Sequence, residues 1–102
     1  MVKVGSNTTV KVVKRKDAEQ PAEWQLESIE MMFGRKPEVI EIPLLDSEQQ
    51  RKKAEEFVEQ GGVYVFMNAI PFLYGWMCYL IGKRGDGKAA VFFGEDDWEG
   101  IK

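Results

Sequence analysis

Apolar positions recur along this chain with two periods, and the switch between them marks the expected elements. Val2 and Val4 alternate with polar neighbours before the Gly5-Ser6-Asn7 break, and Val10 and Val12 alternate after it. That pattern predicts a small opening hairpin or one strand with a frayed start. From Gln20 to Phe33 the spacing lengthens, with Ala22, Leu26, Ile29 and Phe33 on one helical stripe. Pro21 suits the first helical position, Gly34 the position just past the end, and Pro37 prevents continuation. Val39 to Leu45 reads as a strand with Ile40, Ile42 and Leu44 inward and Pro43 pointing to a sheet edge. A second helix is predicted over Ser47–Gln60. Asp46 or Ser47 caps it, each with a glutamine three residues on, and Gly61-Gly62 stops it. Glu48–Lys52 and Arg51–Glu55 fall at i,i+4 on its exposed side, and only Ala54, Phe57 and Val58 form its apolar stripe.

From Gly61 to Gly82 no residue is charged, although 30% of the chain is. The run is long enough for a membrane span, but Asn68, Pro71 and Gly75 interrupt it, and Tyr, Val, Phe and Trp favour pleated surfaces. It divides better into strands at Val63–Met67 and Trp76–Ile81, with a third at Ala89–Phe93 across a Gly85-Asp86-Gly87 hairpin turn. In these strands both alternating sets are apolar, so both faces of the sheet need cover. The expected fold is therefore α+β: a mostly antiparallel sheet of about five to six strands with two helices packed on one face. A homodimer through the uncovered aromatic face follows from that expectation, because buried apolar area contributes about 25 cal/mol per Å².

Length and composition add a domain count and a setting. At 102 residues, with 44% apolar content, the chain reads as a single domain spanning 1–102. No apolar stretch follows the first charges, so no signal peptide is expected, and the single cysteine, Cys78, fits a reducing compartment, which makes the expected location cytoplasmic. The formal net charge of −3 is patterned: Lys3, Lys11, Lys14, Arg15 and Lys16 precede Asp17, Glu19, Glu23, Glu27 and Glu30, and Glu95, Asp96, Asp97 and Glu99 make an acidic end. The basic strand end and the acidic helix face complement each other as solvated charge, and an acidic chain is not expected to bind nucleic acid.

Histidine is absent, which removes the commonest general base and metal ligand. Cys78 reads as a buried, inert mid-strand thiol; the acidic end lacks calcium-loop spacing; and Gly82–Lys88 departs from a phosphate loop. No catalytic residue, metal ligand or cofactor is assigned. The Asn68–Gly75 loop combines aromatic bodies with polar tips, so Tyr64, Phe66, Asn68, Tyr74, Trp76 and Tyr79 are the candidate contacts for a ligand or partner. Glu27-Ser28-Ile29 resembles a segment of phage uracil-DNA glycosylase inhibitors, but those are far more acidic and the tripeptide here lies in a helical pattern, so no family is assigned.

The expected function is a small non-enzymatic binding or interaction domain, dimeric through its aromatic sheet face, with a small apolar ligand or a protein as further partners and no membrane. Two rivals stand beside it. One is a small-molecule enzyme with a carboxylate buried beside Trp76 or Tyr79. The other is an inhibitor or immunity-type protein presenting the acidic helix Gln20–Phe33 to a basic partner.

Overall fold

In the computed structural model of the chain, residues 8–93 are described, and strands and helices alternate throughout. The order is β1 (Val10–Arg15), α1 (Glu23–Phe33), β2 (Glu38–Ile42), α2 (Ser47–Gln60), β3 (Gly62–Phe66), α3 (Pro71–Arg84) and β4 (Ala89–Phe93). The four strands form one sheet in the order β2-β1-β3-β4, and all three pairings are parallel. This is an α/β layer structure with three helices. The expected antiparallel α+β sheet is overturned.

The difference traces to one segment. Residues 71–84, expected to hold the end of the Asn68–Gly75 loop and the strand Trp76–Ile81, are helical, with Pro71 in the first turn and Lys83 and Arg84 in the last. Gly85 ends the helix in the left-handed region at φ 64°, so Gly85-Asp86-Gly87 follows a helix and does not join two strands. Once 71–84 is a helix, each of β1, β2 and β3 leads to the next strand through a helical crossover, which makes the neighbours parallel. Of the expected opening hairpin or frayed strand, the part from Val10 is β1; residues 1–7 lie outside those described, as does the acidic end at 95–99.

Both faces of the sheet are covered by the chain's own helices. On one side Ile29, Leu26 and Phe33 of α1 pack on Val10, Val12, Val63, Val65 and Val39. On the other, Ala54, Phe57 and Val58 of α2 and Leu73 and Met77 of α3 pack on Val13, Ile42, Tyr64 and Phe66. Strands buried on both faces read as continuous apolar runs, which is why Gly62–Phe66 shows no alternation. The premise for a dimer through an open aromatic sheet face is removed, because Tyr64 and Phe66 are fully buried within the chain.

Local signals elsewhere act as their chemistry dictates. Asp46 accepts from Gln49 N at 2.8 Å while Gln49 Oε1 accepts from Asp46 N at 3.0 Å, a complete capping box. The exposed side of α2 carries Glu48–Arg51 and Lys53–Glu56 pairs at i,i+3, where i,i+4 pairs were expected. Leu44, expected to point inward, is wholly exposed, and β2 is an edge strand as Pro43 suggested. Among the described residues no helix is long and apolar enough to cross a membrane.

Candidate functional site

Winding direction reverses at β1. The crossover through α1 carries the chain from β1 to β2 on one side, and the crossovers through α2 and α3 carry it the other way, to β3 and β4. Because α1 lies on one face and α2 and α3 on the other, the loops leaving β1 and β3 diverge and leave a crevice beyond the strands' carboxyl ends. A cleft of about 520 Å³ opens there. Its walls are Arg15 at the end of β1 with Lys16 and Asp17 after it, Ile42 at the end of β2 with Pro43, Leu44 and Leu45 after it, and Ala69, Ile70 and Pro71 after β3, with Gln50 of α2 among them.

Side-chain bonds hold these loops in register. Asn68 Oδ1 accepts from Arg15 N at 2.9 Å, tying the end of β1 to the loop after β3 at the reversal itself. Gln50 joins the loop after β2 to the first turn of α3: its Nε2 donates to Leu45 O at 3.0 Å, and its Oε1 accepts from Leu73 N at 3.0 Å. Lys14, whose side chain is almost wholly buried, donates to Arg15 O at 2.8 Å and to Glu41 Oε2 at 3.3 Å. Gln20 Nε2 donates to the same Glu41 oxygen at 2.9 Å. The Gln20 amide first, and the Lys14 ammonium second, hold the Glu41 carboxyl below its usual range.

Electrostatically the cleft is weakly positive. Of its lining charges, Arg15 and Lys16 are basic and Asp17 is acidic. Arg15 Nε lies 3.5 Å from Asp17 Oδ1, but both groups are exposed, so the pair contributes little beyond orientation. The amino end of α3 adds partial positive charge. Its cap residue, Ile70, offers no side-chain acceptor, and no acidic residue sits in its first turn. Pro71 has no N–H, Leu73 donates to Gln50 and Tyr74 to Ile70 O, which leaves Phe72 as the remaining first-turn amide. Apart from Gln50 the rest of the lining side chains are apolar, and wholly exposed Leu44 stands among them.

The residues singled out from the sequence do not form one site. Asn68 lies at the cleft. Tyr64 and Phe66 are core and half-buried Tyr74 packs against them: Tyr64 stacks on Phe57 at 4.7 Å, and Tyr74 meets Phe66 and Phe93 edge-on at 5.4 and 5.8 Å. Tyr64 donates its hydroxyl to Phe57 O at 3.1 Å, and burial pushes its phenol up to about 12. Trp76 and Tyr79 lie on α3, where Trp76 stacks on Phe72 at 6.1 Å and meets Tyr79 at a tilt at 5.1 Å. Cys78 is also on α3, and it is exposed where a buried strand thiol was expected. Every described carboxylate is exposed, so none is buried against Trp76 or Tyr79 as the enzymatic alternative requires.

Sequence reasoning missed Arg15, Lys16, Leu44, Leu45 and Gln50 as cleft residues. The signals were present as a basic strand end and as the capping glutamine of a helix, but each had a local explanation, and only the sheet order brings the loops together. Among the described residues no group of three or more acids and cysteines is placed to hold a metal ion. No protein-family model, curated protein or solved structure matches the chain.

Proposed function

We propose that this chain is a binding domain whose cleft at the winding reversal takes a small ligand with a flat apolar body and one anionic group. The observation that supports this reading is the cleft of about 520 Å³ at the carboxyl edge of a doubly wound parallel sheet, where such sheets place their ligands. The apolar body lies against Leu44, Leu45, Ile70 and Pro71; the anionic group is met by Arg15, Lys16 and the amino end of α3. The reading is of binding without chemistry, since the lining offers no histidine, no cysteine and no buried carboxylate. A reducing, cytoplasmic setting suits the exposed Cys78 thiol.

The test is an NMR titration with 1-anilinonaphthalene-8-sulfonate, which carries both features, beside N-phenyl-1-naphthylamine, which lacks the anion. The sulfonate should shift amides of Arg15–Asp17, Leu44, Leu45 and the start of α3. Arg15→Gln with Lys16→Gln should weaken it about tenfold, the worth of one charge-assisted bond, and leave the neutral compound unchanged. Shifts confined to the outer face of α3, or a double variant that binds the sulfonate as well as the parent, would refute the proposal.

A further inference from the structure

All four strands run parallel, so the chain leaves β4 at Phe93 on the same edge of the sheet as the cleft. Residues 94–102, which follow, read GEDDWEGIK: one tryptophan, Trp98, set among Glu95, Asp96, Asp97 and Glu99. This is the chemistry proposed for the cleft's ligand, a flat apolar body beside an anionic group, and the inference rests on that reading. Reach permits the meeting. β4 borders β3, with β1 and then β2 beyond it, so strand spacing puts the ends of β1 and β2 about 10 and about 14 Å from the end of β4. Trp98 stands five residues past Phe93, a stretch that extended chain spans in about 17 Å.

Charge selects the landing place. Arg35, Lys36, Arg84 and Lys88 lie toward the opposite edge, where β2 and β4 begin, and Arg84 is paired with Glu59 and Asp86. Arg51 of α2 faces Glu48. Arg15 and Lys16 stand in the cleft wall at the near edge, where Asp17 is only a weak, exposed partner for Arg15. Beside them wholly exposed Leu44 offers apolar surface to a ring. We propose that residues 95–99 dock in the cleft of their own chain, with the Trp98 ring against Leu44, Leu45, Ile70 and Pro71 and its flanking carboxylates facing Arg15 and Lys16. The segment and the ligand then compete for one site. Tethering sets the strength of that competition. At an effective concentration on the order of 1 mM, an intrinsic affinity of about 1 mM fills the cleft about half of the time and weakens a ligand about twofold.

The test compares the full chain by NMR with Trp98→Ser and with Asp96→Asn plus Asp97→Asn, first without ligand. At about 50 mM salt both variants should move the amides of residues 15–17, Leu44 and Leu45 from their parent positions. Raising salt to about 0.5 M should move the parent along the same lines. Trp98→Ser should then bind 1-anilinonaphthalene-8-sulfonate about twofold more tightly than the parent. Circular dichroism checks the fold, and if one variant perturbs it the other decides. The proposal is overturned if the cleft amides coincide in parent and folded variants, or if the amides that move lie elsewhere. Shifts that grow with protein concentration would also overturn it, because the segment would then sit in a second copy's cleft. The ligand-free comparison separates the two readings. A sulfonate that shifts only the outer face of α3 refutes the ligand site, whereas unmoved cleft amides in Trp98→Ser refute the docked segment alone.

Discussion

Gln50 is the residue through which the cleft's rigidity is most directly tested. Its carboxamide bridges the loop after β2 and the first turn of α3, accepting from Leu73 N and donating to Leu45 O, both at 3.0 Å. Gln50→Ala removes both bonds and leaves an amide at the amino end of α3 and a carbonyl of the β2–α2 loop without a protein partner. At about 0.5–1.5 kcal/mol for each bond, the loss is about 1–3 kcal/mol. Both bonds are only part-buried, so water in the cleft replaces them in part and the lower half of that range is expected. Gln50→Glu separates the two contributions. The carboxylate still accepts from Leu73 N and favours the helix's positive end by about 0.3–1 kcal/mol, but it cannot donate to Leu45 O. Urea unfolding at pH 7 should therefore rank the parent above Gln50→Glu and Gln50→Glu above Gln50→Ala. Exchange of the Leu73 amide should accelerate in the alanine variant and stay slow in the glutamate variant. If Leu73 exchanges equally in parent and Gln50→Ala, the amide is held by something else and the clamp is refuted.

Glycine substitutions should divide by position. At Gly62 φ is +101° and an added Cβ would collide with Thr9 Oγ1 and lie 2.9 Å from Thr9 O. Gly62→Ala should therefore cost about 2–4 kcal/mol from strain and overpacking together, read by thermal unfolding. Gly75 on α3 has nothing within 4 Å of where a methyl group would sit, so Gly75→Ala should stabilise by about 0.5–1 kcal/mol; equal effects at the two sites would contradict the structure. Tyr64→Phe deletes the buried bond to Phe57 O and should lower stability by about 1 kcal/mol in urea unfolding, with the ring stacking intact. Arg84 ties α2 to the turn before β4, 2.9 Å from Glu59 and 3.3 Å from Asp86. Its guanidinium holds the Glu59 carboxyl below its ordinary value of 4.5, and the Lys88 backbone amide, ahead of Arg84, holds Asp86 below 3.8. Folded values below unfolded ones mean a contribution present above the ordinary carboxylate values and lost as pH falls through and below them. Midpoints measured from pH 6 down to 3 should fall less steeply in Arg84→Gln; parallel curves would rule the clamp out.

Much of the local structure was legible. The limits of α2 follow from the Asp46 capping box and from Gly61, and the end of α1 from Gly34, because caps act within a few residues and owe nothing to distant contacts. The buried trio Ala54, Phe57 and Val58 and the strand Ala89–Phe93 were equally plain. Residues 71–84 resemble strand and turn in sequence, although Pro71 in the first turn and the basic last turn before Gly85 are helix signals. Trp76, Tyr79 and Ile81 prefer pleated surfaces when taken singly, and with apolar side chains all round the helix no 3.6-residue stripe stands out.

That one segment carries the topology with it. Short-range pattern was enough to establish where most elements start and stop, that apolar material exceeds what two helices can cover, and that Asn68 is an isolated polar group worth explaining. Long-range packing settled the rest: a third helix supplies the missing cover, the strands run parallel, and winding reverses at β1. The cleft belongs wholly to the second set. Arg15, Leu45, Gln50 and Ile70 come from loops and a helix far apart along the chain, and no local pattern records a meeting that depends on the order in which strands are laid side by side.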